Sequence, residues 1–125
     1  MILIFGGAYQ GKLDYAKKLF PIETVCDCSS GSAPDFAADA IYGIEGFVKQ
    51  CACTESAVEA ADWFTRRKAH WENKILIMTD VSQGIVPMDP QLRAFREMNG
   101  RLMLALAKEA EEVHRVFCGL GKRVK

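Results

Sequence analysis

The sequence lacks a net charge and a long apolar run. Sixteen Lys and Arg residues balance sixteen Asp and Glu residues, so the overall charge gives no reason to expect binding to nucleic acid or to an acidic membrane surface. No apolar stretch approaches the roughly 20 residues that a membrane-spanning helix needs. The N-terminal MILIF is too short for a signal peptide and has no basic region before it. We therefore expect a cytoplasmic protein with no membrane span and no nucleic-acid partner.

The cysteines do not form the even, spaced set that is typical of a disulfide framework. There are five of them, and four form two C-x-C pairs, Cys26/Cys28 and Cys51/Cys53. Structural zinc sites favour C-x₂₋₄-C spacings, whereas residues i and i+2 of a strand simply share one face. Reduced, buried thiols are therefore the favoured interpretation, because free cysteine is among the most buried residue types. A thiolate metal site is the alternative.

What the chain does contain at its N-terminus is an apolar strand that leads into a glycine-rich loop and a lysine, MILIFGGAYQGK. In the spacing G-x-x-x-x-G-K, the glycines let successive N–H groups surround a phosphate, and the lysine reaches its β and γ oxygens. The amphipathic run LDYAKKLF predicts a helix whose positive dipole end faces the same anion. A plain glycine turn is the alternative. The predicted phosphate-binding residues are Gly6, Gly7, Ala8, Tyr9, Gln10, Gly11, Lys12 and Leu13.

One part of this phosphate-loop pattern is missing. The residue after the lysine is normally Ser or Thr, whose hydroxyl binds Mg²⁺, and here it is Leu13. Nucleotide is therefore expected to bind with little dependence on Mg²⁺ unless another residue holds the metal. Asp27 and Asp80 end two predicted strands, and ligands of open parallel sheets bind outside the carboxyl ends of strands. Asp27 has an alternative role in starting a turn.

Apolar periodicity and turn-forming residues predict the remaining elements. Half of the residues are hydrophobic, which is enough for the core of one domain over 1–125. The alternation of strands and helices predicts a three-layer, P-loop NTPase-like α/β domain, with a mostly parallel sheet of four or five strands flanked by helices. The predicted elements after the loop are a helix over 14–20, a strand over 23–28, a helix over 34–51, a helix over 55–71 capped by Thr54, a strand over 74–80, a long helix that begins at Asp89-Pro90 and a strand over 113–120.

The C-terminal part of the sequence carries a more specific signal. The stretch TDVSQGIVPMDPQLRAFREMNGRLMLALAKEAEEVHRVFCGL resembles the adenosylcobinamide kinase / adenosylcobinamide-phosphate guanylyltransferase family, in which a T-N-E-V-G-x-G-I-V-P loop precedes R-x-F-R-(D/E)-x-x-G-R-x-N. The opening I-L-I-F-G-G-A-x-x-G-K resembles that family's G-G-A-R-S-G-K-S. The matching C-terminal residues are Gly84, Ile85, Val86, Pro87, Arg93, Phe95, Arg96, Glu97, Gly100 and Arg101.

The departures from the family pattern each remove or replace a polar side chain. The family also carries a guanylylated histidine in a long segment between its first helix and its middle strands, and this chain is too short to contain that segment. Neither His70 nor His114 lies where that histidine belongs. The substituted positions are Gln10 for the loop Ser, Leu13 for the Ser after the lysine, Asp80 for an Asn-Glu pair with one residue deleted, and Met103 for the last Asn.

The resemblance implies a kinase of cobalamin biosynthesis that phosphorylates adenosylcobinamide with ATP or GTP and lacks guanylyltransferase activity. In that role Lys12 and the Gly6–Gly11 amides stabilise the transferring phosphate, while Asp27 or Asp80 helps to position Mg²⁺, whose binding Leu13 weakens. The implied partners are a nucleotide, a corrinoid and further copies of the chain in a homo-oligomer. One alternative is a degenerate relative that binds nucleotide or corrinoid without transferase activity, and another is a thiol or metal protein.

Overall fold

Six strands and five helices form the parts of the chain that the computed structural model describes, which are residues 1–54, 58–82 and 88–125. The strands are β1 (Ile2–Gly6), β2 (Val25–Asp27), β3 (Ala40–Tyr42), β4 (Ile75–Thr79), β5 (Glu112–Phe117) and β6 (Leu120–Arg123). The helices are α1 (Lys12–Leu19), α2 (Ile44–Ala52), α3 (Ala60–Thr65), α4 (Lys68–Trp71) and α5 (Pro90–Glu109). The strands make one sheet in the order β2-β3-β4-β1-β5-β6.

Strand β1 lies inside the sheet, between β4 and β5, and is parallel to both. Strands β2, β3 and β4 continue the parallel pairing on one side, while β6 pairs antiparallel with β5 at the other edge. The carboxyl ends of five parallel strands therefore meet along one edge of the sheet. The predicted mostly parallel α/β sheet is confirmed, with one strand more than expected.

Helices cover both faces of the sheet. Alternate residues of a strand point to opposite faces, and accordingly Leu3 packs in a core with α2, α3, α4 and α5, while Ile4 packs in a second core that contains Ala16 of α1. Both strand residues are fully buried. The predicted three-layer arrangement is therefore confirmed. No helix in the described ranges is long and apolar enough to cross a membrane.

Local signals account for the elements that were predicted well. The side chain of Asp89 caps α5 by accepting a hydrogen bond from the N–H of Gln91 (2.8 Å), and Pro90 occupies the first helical position. Helix α1 ends at Leu19, just before Pro21, which cannot continue it. Strand β4 is buried through its first four residues, as expected for a strand covered on both faces.

The single helix predicted over 34–51 is wrong, because this segment contains strand β3 followed by α2. The carboxylate of Asp39 accepts hydrogen bonds from the N–H groups of Glu23 (2.9 Å) and Thr24 (3.2 Å). These bonds hold Asp39 beside the start of β2, so residues Ala40–Tyr42 extend as strand β3 instead of forming a helix. Gly43, in the left-handed conformation (φ 69°), then separates β3 from α2.

The helix predicted over 55–71 is also wrong in its extent. Residues 55–57 lie outside the described ranges, and the helical conformation begins only at Ala60 and is divided into α3 and α4. Thr54 does not cap α3, since its hydroxyl donates to the carbonyl of Cys51 at the end of α2 (3.3 Å). The indole N–H of Trp71 donates back to the carbonyl of Phe64 (2.7 Å), which closes α4 onto α3.

The last predicted strand, over 113–120, is divided by a turn into β5 and β6. Cys118 and Gly119 both have positive φ, 51° and 76°. Two consecutive residues of this kind form the tight turn whose twist suits a β-hairpin. The basic tail therefore supplies an edge strand that the apolar pattern did not indicate.

Candidate functional site

The glycine-rich loop joins the end of β1 to the start of α1 at the carboxyl edge of the sheet. Its glycines are required at two places. A Cβ atom on Gly6 would lie 2.4 Å from the carbonyl oxygen of Val116 in β5. Gly11, the N-cap of α1, has φ 80°, which favours glycine. The strand, loop and helix that the G-x-x-x-x-G-K spacing predicts are therefore present.

Lys12 is the first residue of α1 and directly follows the loop. The residue is only 5% exposed, and its Nζ donates a hydrogen bond to the carbonyl of Gly7 (2.7 Å). Burial lowers the pKa of Lys12 below its ordinary value, and the negative charge of Glu45 opposes that shift. The ammonium is thus held inside the loop, where its bond to a carbonyl can be exchanged for one to an anion.

A cavity of about 330 Å³ opens over the loop. It combines the loop with the first turn of α1 and with the ends of β3 and β4. The first N–H groups of a helix have no intrahelical partners and carry the positive end of its dipole. The cavity therefore offers backbone donors and one lysine to an anion. Its lining residues are Ala8, Tyr9, Gln10, Gly11, Lys12, Leu13, Asp14, Tyr42, Glu45 and Thr79.

Gln10 ties the loop to the β5–β6 hairpin. Its main-chain carbonyl accepts a hydrogen bond from the N–H of Gly119 (2.8 Å), and its side-chain Oε1 accepts one from the N–H of Cys118 (2.5 Å). No signal in the sequence indicated this contact, because the partners are separated by 108 positions. The residue that replaces a serine of the family pattern therefore supports the loop structurally.

The two acids predicted as metal ligands are engaged in turns. Oδ1 of Asp27 accepts hydrogen bonds from the N–H (2.8 Å) and the hydroxyl of Ser29, which is the turn-starting role left open from the sequence. Oδ1 of Asp80 accepts from the N–H (2.9 Å) and hydroxyl (2.5 Å) of Ser82. Neither acid is among the residues that line the phosphate cavity. Their catalytic role stays a prediction.

Glu45 is the acid that sequence reasoning missed. It lies in the first turn of α2, and its Oε1 accepts a hydrogen bond from the N–H of Thr79 at the end of β4 (2.9 Å). Burial raises the pKa of Tyr42, and the negative charges of Glu45 and Asp27 raise it further. Glu45 follows the carboxyl end of β3, a position typical of ligand-binding residues in parallel sheets. Sequence analysis could have used this signal only if it had recognised β3 as a strand.

Two residues of α5 support the end of β4 and the segment that follows it. Asn99 is 1% exposed, and its Nδ2 donates to the carbonyl of Thr79 (3.0 Å). The guanidinium of Arg96 donates to the carbonyl of Ser82. The matching residues 84–87 lie outside the described ranges. Asn99 could not be singled out from the sequence, because its position in the family pattern is a variable one.

The five cysteines are not paired with one another, and their burial is mixed. Cys28 and Cys51 are buried, as predicted, but Cys53 is exposed, so the interpretation is wrong there. Burial, together with the neighbouring Cys26, raises the pKa of Cys28 to about 12, which keeps this thiol neutral. Within the described ranges, no group of three or more His, Cys, Asp or Glu residues could hold a metal ion.

Comparison with known proteins adds an independent finding. The sequence profile of the family described as cobinamide kinase / cobinamide phosphate guanyltransferase matches residues 44–124, which is more than half of the chain. The chain belongs to this family. The resemblance seen in the sequence is thereby confirmed. The match includes Glu45, Thr79 and α5 but begins after the phosphate loop.

One relative in this cobinamide kinase family is the bifunctional adenosylcobalamin biosynthesis protein CobU of Salmonella typhimurium (strain LT2). The two sequences are 39% identical over 51 residues, which cover 41% of this chain and 28% of the relative. The chain therefore matches little more than a quarter of the relative's length. The relative's name assigns that protein to adenosylcobalamin biosynthesis.

Proposed function

We propose that the protein is a nucleotide-dependent kinase that transfers a phosphoryl group from ATP or GTP to a hydroxyl of adenosylcobinamide, without guanylyltransferase activity. The observation that carries the proposal is the buried Lys12 under a cavity of about 330 Å³, in a chain of the cobinamide kinase family. The proposed ligands are a nucleotide and a corrinoid. We also propose that residues 1–125 form a single domain and that the chain assembles as a homo-oligomer.

The loop residues bind and orient the triphosphate in this proposal. Backbone N–H groups of the loop and the first turn of α1 surround the β- and γ-phosphates, and Lys12 leaves the carbonyl of Gly7 to contact the transferring group. Phosphoryl transfer spreads negative charge over the equatorial oxygens of the γ-phosphate, so fixed donors aimed there stabilise the transition state. The bond between the γ-phosphorus and the β–γ bridging oxygen breaks and ADP or GDP leaves, while the corrinoid hydroxyl oxygen bonds to the γ-phosphorus and its proton passes to solvent.

The acids around the cavity fit a divalent cation. A Mg²⁺ ion bound with the nucleotide would neutralise charge on the β- and γ-phosphates. Such a site needs only one or two carboxylates, since phosphates and water supply the other ligands. Glu45 lines the cavity, while Asp27 ends β2 and Asp80 directly follows β4 at the same edge of the sheet. Leu13 offers no ligand.

A second candidate function is binding of nucleotide or corrinoid without transfer. Leu13 favours it, because this residue stands at the position where the phosphate-loop pattern has a hydroxyl that binds the metal. The two candidates make different predictions for the same preparation. Both require nucleotide binding, and only the first requires a phosphorylated product.

The deciding experiment is incubation of the protein with cobinamide and γ-labelled ATP or GTP, with Mg²⁺ and with EDTA. We expect labelled corrinoid from the wild type with Mg²⁺ and none from Lys12→Ala, and no transfer of label from α-labelled GTP. Lys18→Ala, which removes an exposed lysine from the last turn of the same helix, is the matched control. Nucleotide binding with no labelled product would replace the proposal by the second candidate.

A further inference from the structure

We propose that Glu45 is the protein ligand for the divalent cation of a metal–nucleotide complex in the phosphate cavity. The proposal rests on the proposed function, since it assumes that the cavity takes a nucleotide. It assigns to Glu45 the Mg²⁺-binding role that sequence analysis predicted for Asp27 or Asp80. It also reverses the expectation, drawn from Leu13, that nucleotide binds with little dependence on Mg²⁺.

The position of Glu45 is set by two neighbouring strands. Gly43 turns the chain out of β3, so Glu45 enters the first turn of α2 at the carboxyl edge of the sheet. The N–H of Thr79 then holds its Oε1 at the end of β4 (2.9 Å), beside the strand that leads into the phosphate loop. A carboxylate has about four lone-pair sites on its two oxygens, so Glu45 can keep this bond and still coordinate a cation.

The negative charge of Glu45 in the cavity favours binding of a cation together with phosphate. Glu45 and Lys12 line the same cavity and are close enough for the carboxylate to oppose the pKa shift that burial imposes on the lysine. A triphosphate beside an uncompensated carboxylate is repelled, because like charges in a partly desolvated site oppose one another. A divalent cation between them turns the repulsion into two attractive contacts.

Asp27 and Asp80 are less suited to the same role. The Oδ1 atom of each carboxylate already accepts two hydrogen bonds from a serine two residues later. Neither side chain lines the cavity that contains Lys12. A cation held by Glu45 needs no second acid, because Mg²⁺ in nucleotide sites takes most of its ligands from phosphates and water.

Calorimetric titration with ATP, with Mg²⁺ and with EDTA, tests this assignment. We expect the wild type to bind at least tenfold more tightly with Mg²⁺. The variant Glu45→Gln keeps an oxygen acceptor for the N–H of Thr79 and removes the charge. Its Mg²⁺ advantage should disappear, while its affinity in EDTA should equal or exceed that of the wild type. Asp27→Asn and Asp80→Asn test the two alternative ligands, and both variants should keep the Mg²⁺ advantage.

The possible results separate this inference from the proposed function. Wild-type binding that is equal with Mg²⁺ and with EDTA would overturn the role of Glu45 and leave the nucleotide site standing. A Mg²⁺ advantage that survives in Glu45→Gln, or that is lost in Asp27→Asn or Asp80→Asn, would also overturn it. Absence of ATP binding under both conditions would end both proposals. Thermal unfolding of each variant checks that a loss of affinity does not come from a loss of fold.

Discussion

The side-chain Oε1 of Gln10 accepts a hydrogen bond from the backbone N–H of Cys118 (2.5 Å), which connects the phosphate loop to the turn between β5 and β6. The loop is therefore held from its far side as well as by β1 and α1. An anion-binding loop gains affinity when its donors are already arranged before the ligand arrives. Gln10 supplies part of that arrangement through its hydrogen bonds with the hairpin.

Gln10→Ala should weaken nucleotide binding by releasing the loop from the hairpin. The loss of one hydrogen bond is worth on the order of 1 kcal/mol, or about fivefold in affinity. Titration calorimetry with ATP measures the effect. Gln91→Ala, an exposed substitution on α5, is the control. Equal affinity in Gln10→Ala and the wild type would show that the contact does not order the loop.

Lys12→Ala should weaken binding of phosphate or nucleotide more strongly. Losing one charged contact in a partly desolvated site costs on the order of 1.5 to 3 kcal/mol, or about tenfold to a hundredfold in affinity. The loss should appear with Mg²⁺ and with EDTA, because the lysine contacts phosphate directly. Lys17→Ala, exposed on the same helix, should bind as the wild type does. If the wild type does not bind millimolar nucleotide, the loop has no anion-binding role.

Two glycine substitutions should change stability in opposite directions. A Cβ on Gly6 would lie 2.4 Å from the carbonyl oxygen of Val116, whereas one on Gly100 would meet no atom within 4 Å. Overpacking of this kind costs about 1–3 kcal/mol, while alanine in a helix interior is favoured over glycine by roughly 0.5–1 kcal/mol. In urea unfolding we expect Gly6→Ala to be less stable than the wild type and Gly100→Ala to be more stable.

The stability of the sheet edge should depend on pH through Asp39. Hydrogen bonds from the N–H groups of Glu23 and then Thr24 hold the pKa of this carboxyl below its ordinary value of 3.8. The carboxylate therefore contributes stability that is present above pH 3.8 and is lost as the pH falls through the lower pKa of the folded state. Thermal unfolding of the wild type and Asp39→Asn should differ most near neutral pH and converge in acid. A difference that does not change with pH would contradict this.

Local chemistry explains which elements could be predicted from the sequence alone. The cap at Asp89, the proline after α1 and the buried run of β4 depend on neighbours within a few residues, so the pattern of residues contains the whole signal. The glycines and Lys12 of the loop are equally local. The family could likewise be recognised, since its motifs depend only on residue identity and spacing.

Tertiary structure decided the rest, because the deciding partners lie far apart in the chain. Strand β3 is only three residues long and extends because Asp39 binds residues about 15 positions earlier. Glu45 reaches the cavity through Thr79, 34 positions later. Gln10 meets Cys118 across 108 positions. A strand of three residues has too little periodicity to be recognised from the sequence. The direction of the Glu45 side chain depends on that strand, so only the folded sheet shows that this acid lies beside the phosphate loop.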